Sequence, residues 1–462
     1  MLFSAAREGL TPIEDAALLD EVTALVERPN VLLCRFDAEF LAVPQECLIL
    51  TMKANQKYFP LLDATGRLTE RFLVVSNIRP ADPSRVIEGN QRVVRPRLAD
   101  AKFFFDQDRK RRLEDRVAGL DKVVYHGKLG SQGERVTRVR AIARSICEAL
   151  QRPDLMAEVD LAARLAKADL LSDMVGEFPE LQGTMGAYYA RHDGLSDAVA
   201  QAIEDHYKPR FAGDALPRGE VGLVVALADK LETLTGLFGI GQLPSGDKDP
   251  YALRRHALGL IRMLIERDLA LPLDALLAVA QVPFGERFAD SAAAPLAAFI
   301  HDRLAVMLRD QGYSAQEVDA VLALRPQVLA QIPKRLAAVR AFAQLPEAQA
   351  LAAANKRVAN ILRKAELAAH PALDAARLCE PAEIALAGRL ALAGTASAQA
   401  FGAGRYGESL RELAALKAPV DAFFEQVMVN ADDPALRANR LALLASLHDA
   451  MNRVADLSRL AV

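Results

Sequence analysis

The sequence predicts an α+β protein that is predominantly α-helical. Alanine and leucine are abundant among its 462 residues and tryptophan is absent, a composition that favours helix. Short apolar runs separated by turn residues, the pattern of β-strands, are confined to residues 31–80. From about Arg85 onward apolar residues recur at helical spacing. We predict a small α+β domain over 1–120, a helical domain over 121–345 and a helical bundle over 346–462.

The first predicted domain begins with a short helical lead-in. Residues 1–30 carry four apolar residues at helical spacing, Leu18, Leu19, Val22 and Leu25. The segment Asp63-Ala64-Thr65-Gly66 is typical of a hairpin turn and lies between two apolar runs. Strands are predicted over residues 31–36, 47–52, 58–62 and 71–78.

Helical periodicity accounts for most of the remaining chain. A linker rich in alanine and proline is expected near 345–354, and a long helix begins at Pro434. Helices are predicted over residues 134–150, 157–174, 196–207, 219–238, 250–267 and 355–369, with several more between 292 and 345.

The helix after residue 249 has a distinctive beginning. Asp249 is expected as its N-cap and Pro250 as its first helical residue, a position that tolerates the missing N–H. Arg254 and Arg255 follow in the first turn or two, where the helix dipole favours negative charge. We therefore expect these two arginines to face an anionic group on a neighbour, a partner protein or a phosphate.

Bulk properties exclude several classes of protein. The net charge of −3 means that any nucleic-acid binding must come from local basic patches. The cysteines at 34, 47, 147 and 379 are scattered, which predicts neither a zinc site nor a disulfide framework and fits a reducing compartment. No apolar run approaches the ~20 residues that span a bilayer. We expect a cytoplasmic protein that makes no membrane contact.

The sequence lacks the common catalytic and nucleotide-binding motifs. Residues 241–248 approach the phosphate-binding loop pattern, but Asp247 stands where that pattern needs lysine and would repel phosphates. No nucleophile elbow, zinc-protease motif or dinucleotide fingerprint occurs in the sequence. We therefore predict no catalytic residue and no cofactor site in this chain.

The middle of the chain has the layout of a histidine/aspartate metal phosphohydrolase. His126, Asp169 and Asp229 are the candidate ligands, but Ala168 stands where a metal-binding histidine is needed. Two interpretations follow. The one that we favour is a retained helical scaffold with buried aspartates and no metal, and the other is an active metal-dependent phosphohydrolase. His192 or His206 could substitute as a ligand, although each is more typical of a loop or helix end.

A basic segment over 85–116 carries ten basic and six acidic residues around Phe103-Phe104-Phe105. Arginines interleaved with aromatic residues suit RNA, which is bound through phosphates and stacked bases. We expect the three phenylalanines in the core. The three central arginines are Arg92, Arg95 and Arg97. Two alternatives stay open for them, RNA binding or ion pairs on a solvent-exposed face.

The last predicted domain presents two further basic helices. Two such helices could lie on either side of an RNA backbone, although a charged solvent-facing surface explains the composition equally well. The residues are Lys356, Arg357, Arg363 and Lys364 on one helix, and Arg437 and Arg440 on the other.

Several motifs together resemble the β subunit of the bacterial heterotetrameric glycyl-tRNA synthetase. They follow the family's order and cover nearly the whole chain. The end of the chain, DPALRANRLALL from Asp433, resembles an anticodon-binding domain named for an Asp-Ala-Leu-Arg core, which here reads Pro-Ala-Leu-Arg. The other matching stretches are TMKANQKYFP (51–60), NQRVVRPRLADAK (90–102), QGTMGAYYARHDG (182–194), YKPRFAGD (207–214), FGIGQLPSGDKDPYALRRHAL (238–258) and NKRVANILRKAE (355–366).

The resemblance implies a tRNA-binding subunit of glycine–tRNA ligase whose partner, the α subunit, activates glycine with ATP. It implies a heterotetramer of two α and two β subunits, a middle domain of the histidine/aspartate type with an eroded metal site, and tRNA or subunit contacts by Asp249, Arg254 and Arg255. Family members are longer, and their N-terminal region is expected to precede residue 1. A purely structural subunit remains the alternative.

Overall fold

The computed structural model describes residues 1–365 and 372–461. It divides into two compact units, residues 1–208 with 215–229 and residues 209–214 with 230–462. Among the described helices, none has both the length and the apolar character that crossing a membrane requires. Helices dominate both units, which agrees with the predicted predominantly helical α+β class.

The first unit contains a four-stranded antiparallel sheet and a separate two-stranded hairpin. The predicted hairpin turn is confirmed, since the Asp63 carboxylate accepts hydrogen bonds from the amides of Thr65 (2.8 Å) and Arg67 (3.0 Å). The strands are β1 (Thr11–Pro12), β2 (Asn30–Arg35), β3 (Phe59–Leu62), β4 (Leu68–Ser76), β5 (Val124–His126) and β6 (Gly130–Ser131). The sheet has the strand order β1-β3-β4-β2, and β5 and β6 form the hairpin.

Ten helices lie before residue 208, and an eleventh contributes its first half to this unit and its second half to the other. They are α1 (Leu2–Ala6), α2 (Ala16–Leu25), α3 (Gln45–Gln56), α4 (Ser84–Asp108), α5 (Leu113–Arg116), α6 (Gln132–Ala149), α7 (Met156–Leu165), α8 (Asp173–Glu177), α9 (Thr184–His192), α10 (Asp197–Asp205) and α11 (Glu220–Gly239). The predicted helix over 157–174 is interrupted, because Ser172 adopts an extended conformation and caps α8.

The strand predicted over residues 47–52 is wrong, because these residues belong to α3. Cys47, Leu48, Thr51 and Met52 are buried, and their spacing places them on one face of a helix. Short apolar runs do not distinguish a strand from a buried helix by composition. The helix ends at Lys57, whose left-handed backbone (φ 56°) turns the chain into β3.

Asp108, at the end of α4, joins three helices of the first unit. Its carboxylate accepts hydrogen bonds from the amides of Asp173 (2.9 Å) and Met174 (3.0 Å) and from the Tyr189 hydroxyl (2.8 Å). It also pairs with Arg116 at 3.0 Å, and both side chains are buried. The predicted boundary near residue 120 therefore lies inside this compact unit.

The second unit is helical. The predicted helices over 250–267, between 292 and 345, and from Pro434 are all present, with small shifts at their ends. Its helices are α12 (Leu253–Glu266), α13 (Leu273–Gln281), α14 (Ala293–Asp310), α15 (Ala315–Leu322), α16 (Ile332–Phe342), α17 (Ala348–Lys364), α18 (Pro381–Gly402), α19 (Tyr406–Leu413), α20 (Lys417–Gln426) and α21 (Pro434–Met451).

The linker predicted near 345–354 is instead mostly the start of α17. Alanine is the strongest helix former, so an alanine-rich stretch continues a helix more readily than it breaks one. The last residues of the helix predicted over 355–369 lie outside the described residues. Helix α16 packs on α19, and Arg335 of α16 donates to the Val454 carbonyl at 3.3 Å. Residue 345 is therefore interior to the second unit, and the three-domain division stays a prediction.

Candidate functional site

The first unit buries a group of charged side chains where the sequence predicted a degenerate metal site. Asp169 is fully buried, and its carboxylate accepts hydrogen bonds from the amides of Gly183 (2.5 Å) and Gly186 (3.1 Å). Asp229 pairs with Arg135 at 3.0 Å and with Lys167 at 3.3 Å. Each predicted aspartate is therefore held by other groups of the protein, one by backbone amides and one by two cations.

Burial shifts the pKa values of this group in consistent directions. Desolvation raises the pKa of Asp169 to about 6, although its amide hydrogen bonds oppose the shift. Desolvation lowers the pKa of Lys167 to about 8, against the attraction of Asp229. The Lys167 ammonium lies 3.9 Å from the centroid of the Tyr207 ring. Burial also lowers the pKa of His206 well below its ordinary value, so this imidazole is neutral at physiological pH.

The structure does not assemble the predicted ligands into a metal site. Within the residues described, no three histidine, cysteine, aspartate or glutamate side chains are grouped so that they could hold a metal ion. His126 lies on β5, where its Nδ1 accepts a hydrogen bond from the Lys128 amide at 3.1 Å. His192 and His206 lie at the ends of α9 and α10, which agrees with the prediction that each is a loop or helix-end residue. The phosphohydrolase interpretation therefore has no ligand set among these residues.

We expect the purified chain to contain far less than stoichiometric transition metal. The reason is electrostatic, since Arg135 and Lys167 already neutralise Asp229 and would repel a divalent cation. Inductively coupled plasma mass spectrometry on protein purified without chelators or affinity metals measures this directly. Stoichiometric zinc, manganese or iron would contradict the interpretation and restore the hydrolase hypothesis.

Asp249 caps the helix as predicted, but the helix begins three residues later than predicted. Helix α12 begins at Leu253, after Ala252 in a left-handed conformation (φ 54°). The Asp249 carboxylate nevertheless accepts hydrogen bonds from the first-turn amides of Leu253 (2.8 Å) and Arg254 (2.9 Å). Asp249 is thereby assigned to helix capping in the described chain, since both of its carboxylate oxygens bind its own backbone.

The two arginines of α12 have different environments. Arg254 is half-buried, and its guanidinium donates to the carbonyl of Gly246 at 2.5 Å in its own loop. This carbonyl is the polar neighbour for Arg254, where the sequence predicted an anionic one. Arg255 is exposed and has no hydrogen bond or ion pair within the described residues. Arg255 therefore keeps its full capacity to bind an external anion.

Helix α17 presents an uncompensated basic surface in the second unit. Its four basic residues are exposed, and the helix contains no acidic residue. None of the four has an ion pair among the described residues. The guanidinium of Arg357 lies 4.2 Å from the centroid of the half-buried Phe424 ring, and Arg363 donates to the Asn360 side chain at 2.7 Å. We name Lys356, Arg357, Arg363 and Lys364 the α17 basic surface.

Arg440 must be removed from the predicted tRNA-binding set. It is 5% exposed, its Nε donates to the fully buried Glu383, and a second nitrogen donates to the Met428 carbonyl at 2.6 Å. The prediction assumed one buried stripe on α21, but this helix is buried on most of its circumference. Arg437, three residues earlier, is exposed and has no ion pair within the described residues.

The arginines of α4 are exposed but partly compensated. Arg92 pairs with Glu88 at 2.8 Å and Arg95 with Asp37 at 2.7 Å, whereas Arg97 has no partner among the described residues. Exposed pairs of this kind contribute little stability, so phosphates could displace the carboxylates. Both alternatives for this segment therefore stay open.

The expectation that all three phenylalanines of the basic segment are core is wrong for Phe103. This side chain is 57% exposed, whereas Phe105 is 8% exposed and stacks on Tyr189 with ring centroids 6.1 Å apart. Three consecutive residues of a helix point in directions about 100° apart, so they cannot all face one core. Phe103 is therefore an exposed aromatic residue on the same helix as Arg92, Arg95 and Arg97.

Several important residues escaped the sequence analysis. Lys167 and Arg135, which compensate Asp229, lie in ordinary helical patterns with no motif to distinguish them. Phe424, beneath Arg357, and Glu383, beside Arg440, are distant in sequence from their partners. Helical periodicity in a sequence locates the buried face of a helix, but it cannot identify which distant side chain packs against that face.

Two family models match successive parts of the chain, and the first match extends into the second compact unit. The family model described as glycyl-tRNA synthetase beta subunit matches residues 2–323, and that described as DALR anticodon binding domain matches residues 351–457. The α17 basic surface and Arg437 lie within the second match, and the buried Asp169 and Asp229 and the exposed Arg255 lie within the first.

Three relatives align with nearly the full length of this chain. All are glycine–tRNA ligase beta subunits, from Delftia acidovorans (70% identical, 98% of this chain), Leptothrix cholodnii (69%, 99% of this chain) and Dechloromonas aromatica (70%, 99% of this chain). The chain spans 64–66% of the length of these curated relatives. The resemblance stated from the motifs is thereby confirmed at the level of the family.

Proposed function

Because the chain belongs to the glycyl-tRNA synthetase beta subunit family, we propose that it binds the tRNA of glycine and joins a separate catalytic subunit that charges it. The observation that carries the tRNA-binding part is the α17 basic surface. It has four exposed cations, and one of them, Arg357, lies over an aromatic ring. Phosphates bind such cations, and the salt dependence of binding follows from the number that they contact.

The anticodon loop is the part of the tRNA that we assign to this surface. RNA loops expose unpaired bases that stack on aromatic rings and on guanidinium planes. Arg357, oriented by Phe424, offers such a plane, and no carboxylate among the described residues competes for it. The match of residues 351–457 to an anticodon binding domain supports the assignment. Arg437 extends the same chemistry to α21, whereas Arg440 stabilises the fold.

We assign glycine activation to the partner, an α subunit, which would also bind the ATP. The sequence offers no nucleotide-binding motif, and the relatives are named as beta subunits. The proposed assembly is a heterotetramer of two α and two β subunits in the cytoplasm. In it the chain needs no cofactor of its own, and it contributes tRNA binding and contacts with the partner.

The assignment of glycine activation to the α subunit is tested by ATP–pyrophosphate exchange with glycine. The chain alone is expected to give no exchange above background, because adenylate formation is assigned to the partner. Purified α subunit, assayed in parallel, is the positive control for the glycine-dependent signal. Glycine-dependent exchange by the chain in the absence of α subunit would contradict the proposal.

A further inference from the structure

The second unit contains an arginine-lined pocket of about 470 Å³ that the tRNA-binding assignment does not use. Its walls come from α12, α14 and the segment 209–214, and four of its lining residues are arginines. We name it the α12–α14 pocket. Its apolar wall is formed by Leu258 of α12 with Val306 and Met307 of α14, and Val306 is 41% exposed. The pocket therefore joins positive charge and accessible apolar surface in one cavity.

Two of the four guanidinium groups are already engaged within the protein. Arg254 donates to the Gly246 carbonyl, and Arg262 pairs with Glu266 at 2.6 Å. The other two, Arg255 and Arg303, have no hydrogen bond or ion pair among the described residues. Because an unsatisfied buried donor costs free energy, an acceptor that reaches Arg303 gains affinity there, and the exposed Arg255 adds an uncompensated positive charge.

The Nε of Arg303 shows where such an acceptor would bind. This atom is buried and has no hydrogen-bond partner within the described residues. The guanidinium also lies 5.9 Å from the centroid of the Phe299 ring. A carboxylate is the matching anion, because its two oxygens can accept a pair of parallel N–H bonds from an arginine.

The rest of the lining distinguishes a protein side chain from an RNA phosphate. Glu266 and Asp310 lie in the same walls and would repel a polyanionic backbone more than a single carboxylate. The apolar wall offers nothing to a phosphodiester chain. An acidic side chain followed one helical turn later by an apolar one satisfies both parts of the pocket.

We propose that the α12–α14 pocket binds a segment of the partner subunit in which a carboxylate lies beside an apolar side chain. The inference rests on the proposed function, since it takes the α subunit as the occupant. It assigns Arg255 and Arg303 to that carboxylate and Val306 to the apolar neighbour. The pocket thereby becomes part of the subunit interface, separate from the α17 basic surface that contacts tRNA.

The test measures α subunit binding by isothermal titration calorimetry and tRNA binding by filter retention, with each variant in both assays. Arg255→Glu and Val306→Asp are expected to weaken α binding at least about tenfold, a loss of about 1.4 kcal/mol, and to leave tRNA binding unchanged. Arg411→Glu is the matched control, because Arg411 is exposed and lies outside the pocket. Circular dichroism spectra verify that both pocket variants remain folded.

The possible outcomes separate this inference from the function on which it rests. If α subunit binds wild type and both variants equally, the pocket assignment is overturned and the proposed function stands. If Arg255→Glu weakens tRNA binding instead, the pocket contacts RNA and the inference is wrong. If wild type binds tRNA but shows no α binding at all, both the inference and the proposed assembly fail.

Discussion

Replacing Arg440 with alanine is expected to lower the free energy of unfolding by about 3–5 kcal/mol. The reason is that Glu383 is fully buried and loses the cation that compensates it. The hydrogen bond from Arg440 to the Met428 carbonyl is lost as well. Urea denaturation followed by circular dichroism at 222 nm measures the change.

Two matched variants show whether the charge is responsible. Arg437→Ala removes an exposed arginine of the same helix and is expected to change the free energy of unfolding by less than about 0.5 kcal/mol. The double variant Arg440→Met with Glu383→Gln removes both charges, and the glutamine oxygen can still accept the hydrogen bonds that the Cys379 and Glu380 amides donate to Glu383, so it is expected to recover much of the loss. Equal destabilisation by Arg440→Ala and Arg437→Ala would show that Arg440 is not an internal ion-pair partner.

Neutralising the α17 basic surface is expected to weaken tRNA binding at least about a hundredfold at low salt. Hydrogen bonds to charged groups contribute about 1.5–3 kcal/mol each, so losing two already gives this effect. The variant replaces Lys356, Arg357, Arg363 and Lys364 with glutamine, a good helix former, which preserves α17. Filter binding with the tRNA of glycine measures the dissociation constant.

The comparison variant carries glutamine at Arg92, Arg95 and Arg97 of α4. Its loss of affinity is expected to be smaller, because two of these arginines already pair with carboxylates. Both variants should unfold at the urea concentration of wild type, since all seven side chains are exposed. A larger loss in the α4 variant than in the α17 variant would move the tRNA contact to the first unit.

Residue pattern alone could predict much of the fold. Periodicity located the strand β2, the hairpin after Asp63 and the long helix α21, because each has a local signal in turn chemistry or amphipathic spacing. It failed at residues 47–52, where a short apolar run is compatible with either a strand or a buried helix. It also failed at 345–354, where the composition predicts a linker but most of the residues begin α17, because alanine favours helix.

The candidate site was less predictable, because the state of a charged side chain depends on distant neighbours. Arg437 and Arg440 look equivalent in sequence, yet only Arg440 meets Glu383, which lies on another helix. Asp229 was expected as a remnant metal ligand, and nothing near it in sequence indicated that Arg135 and Lys167 would compensate it. Long ordered motifs, by contrast, were sufficient to identify the family.

The central claim is that this chain binds tRNA through phosphate contacts made by the α17 basic surface. Its most direct test is the slope of log K against log salt concentration for the tRNA of glycine, measured with wild type and with the four-glutamine α17 variant. Loss of four phosphate contacts predicts a slope in the variant that is shallower by about 3 than that of wild type, with the remaining slope due to other contacts such as Arg437. A wild-type affinity that does not change with salt, or identical slopes for both proteins, would contradict the account.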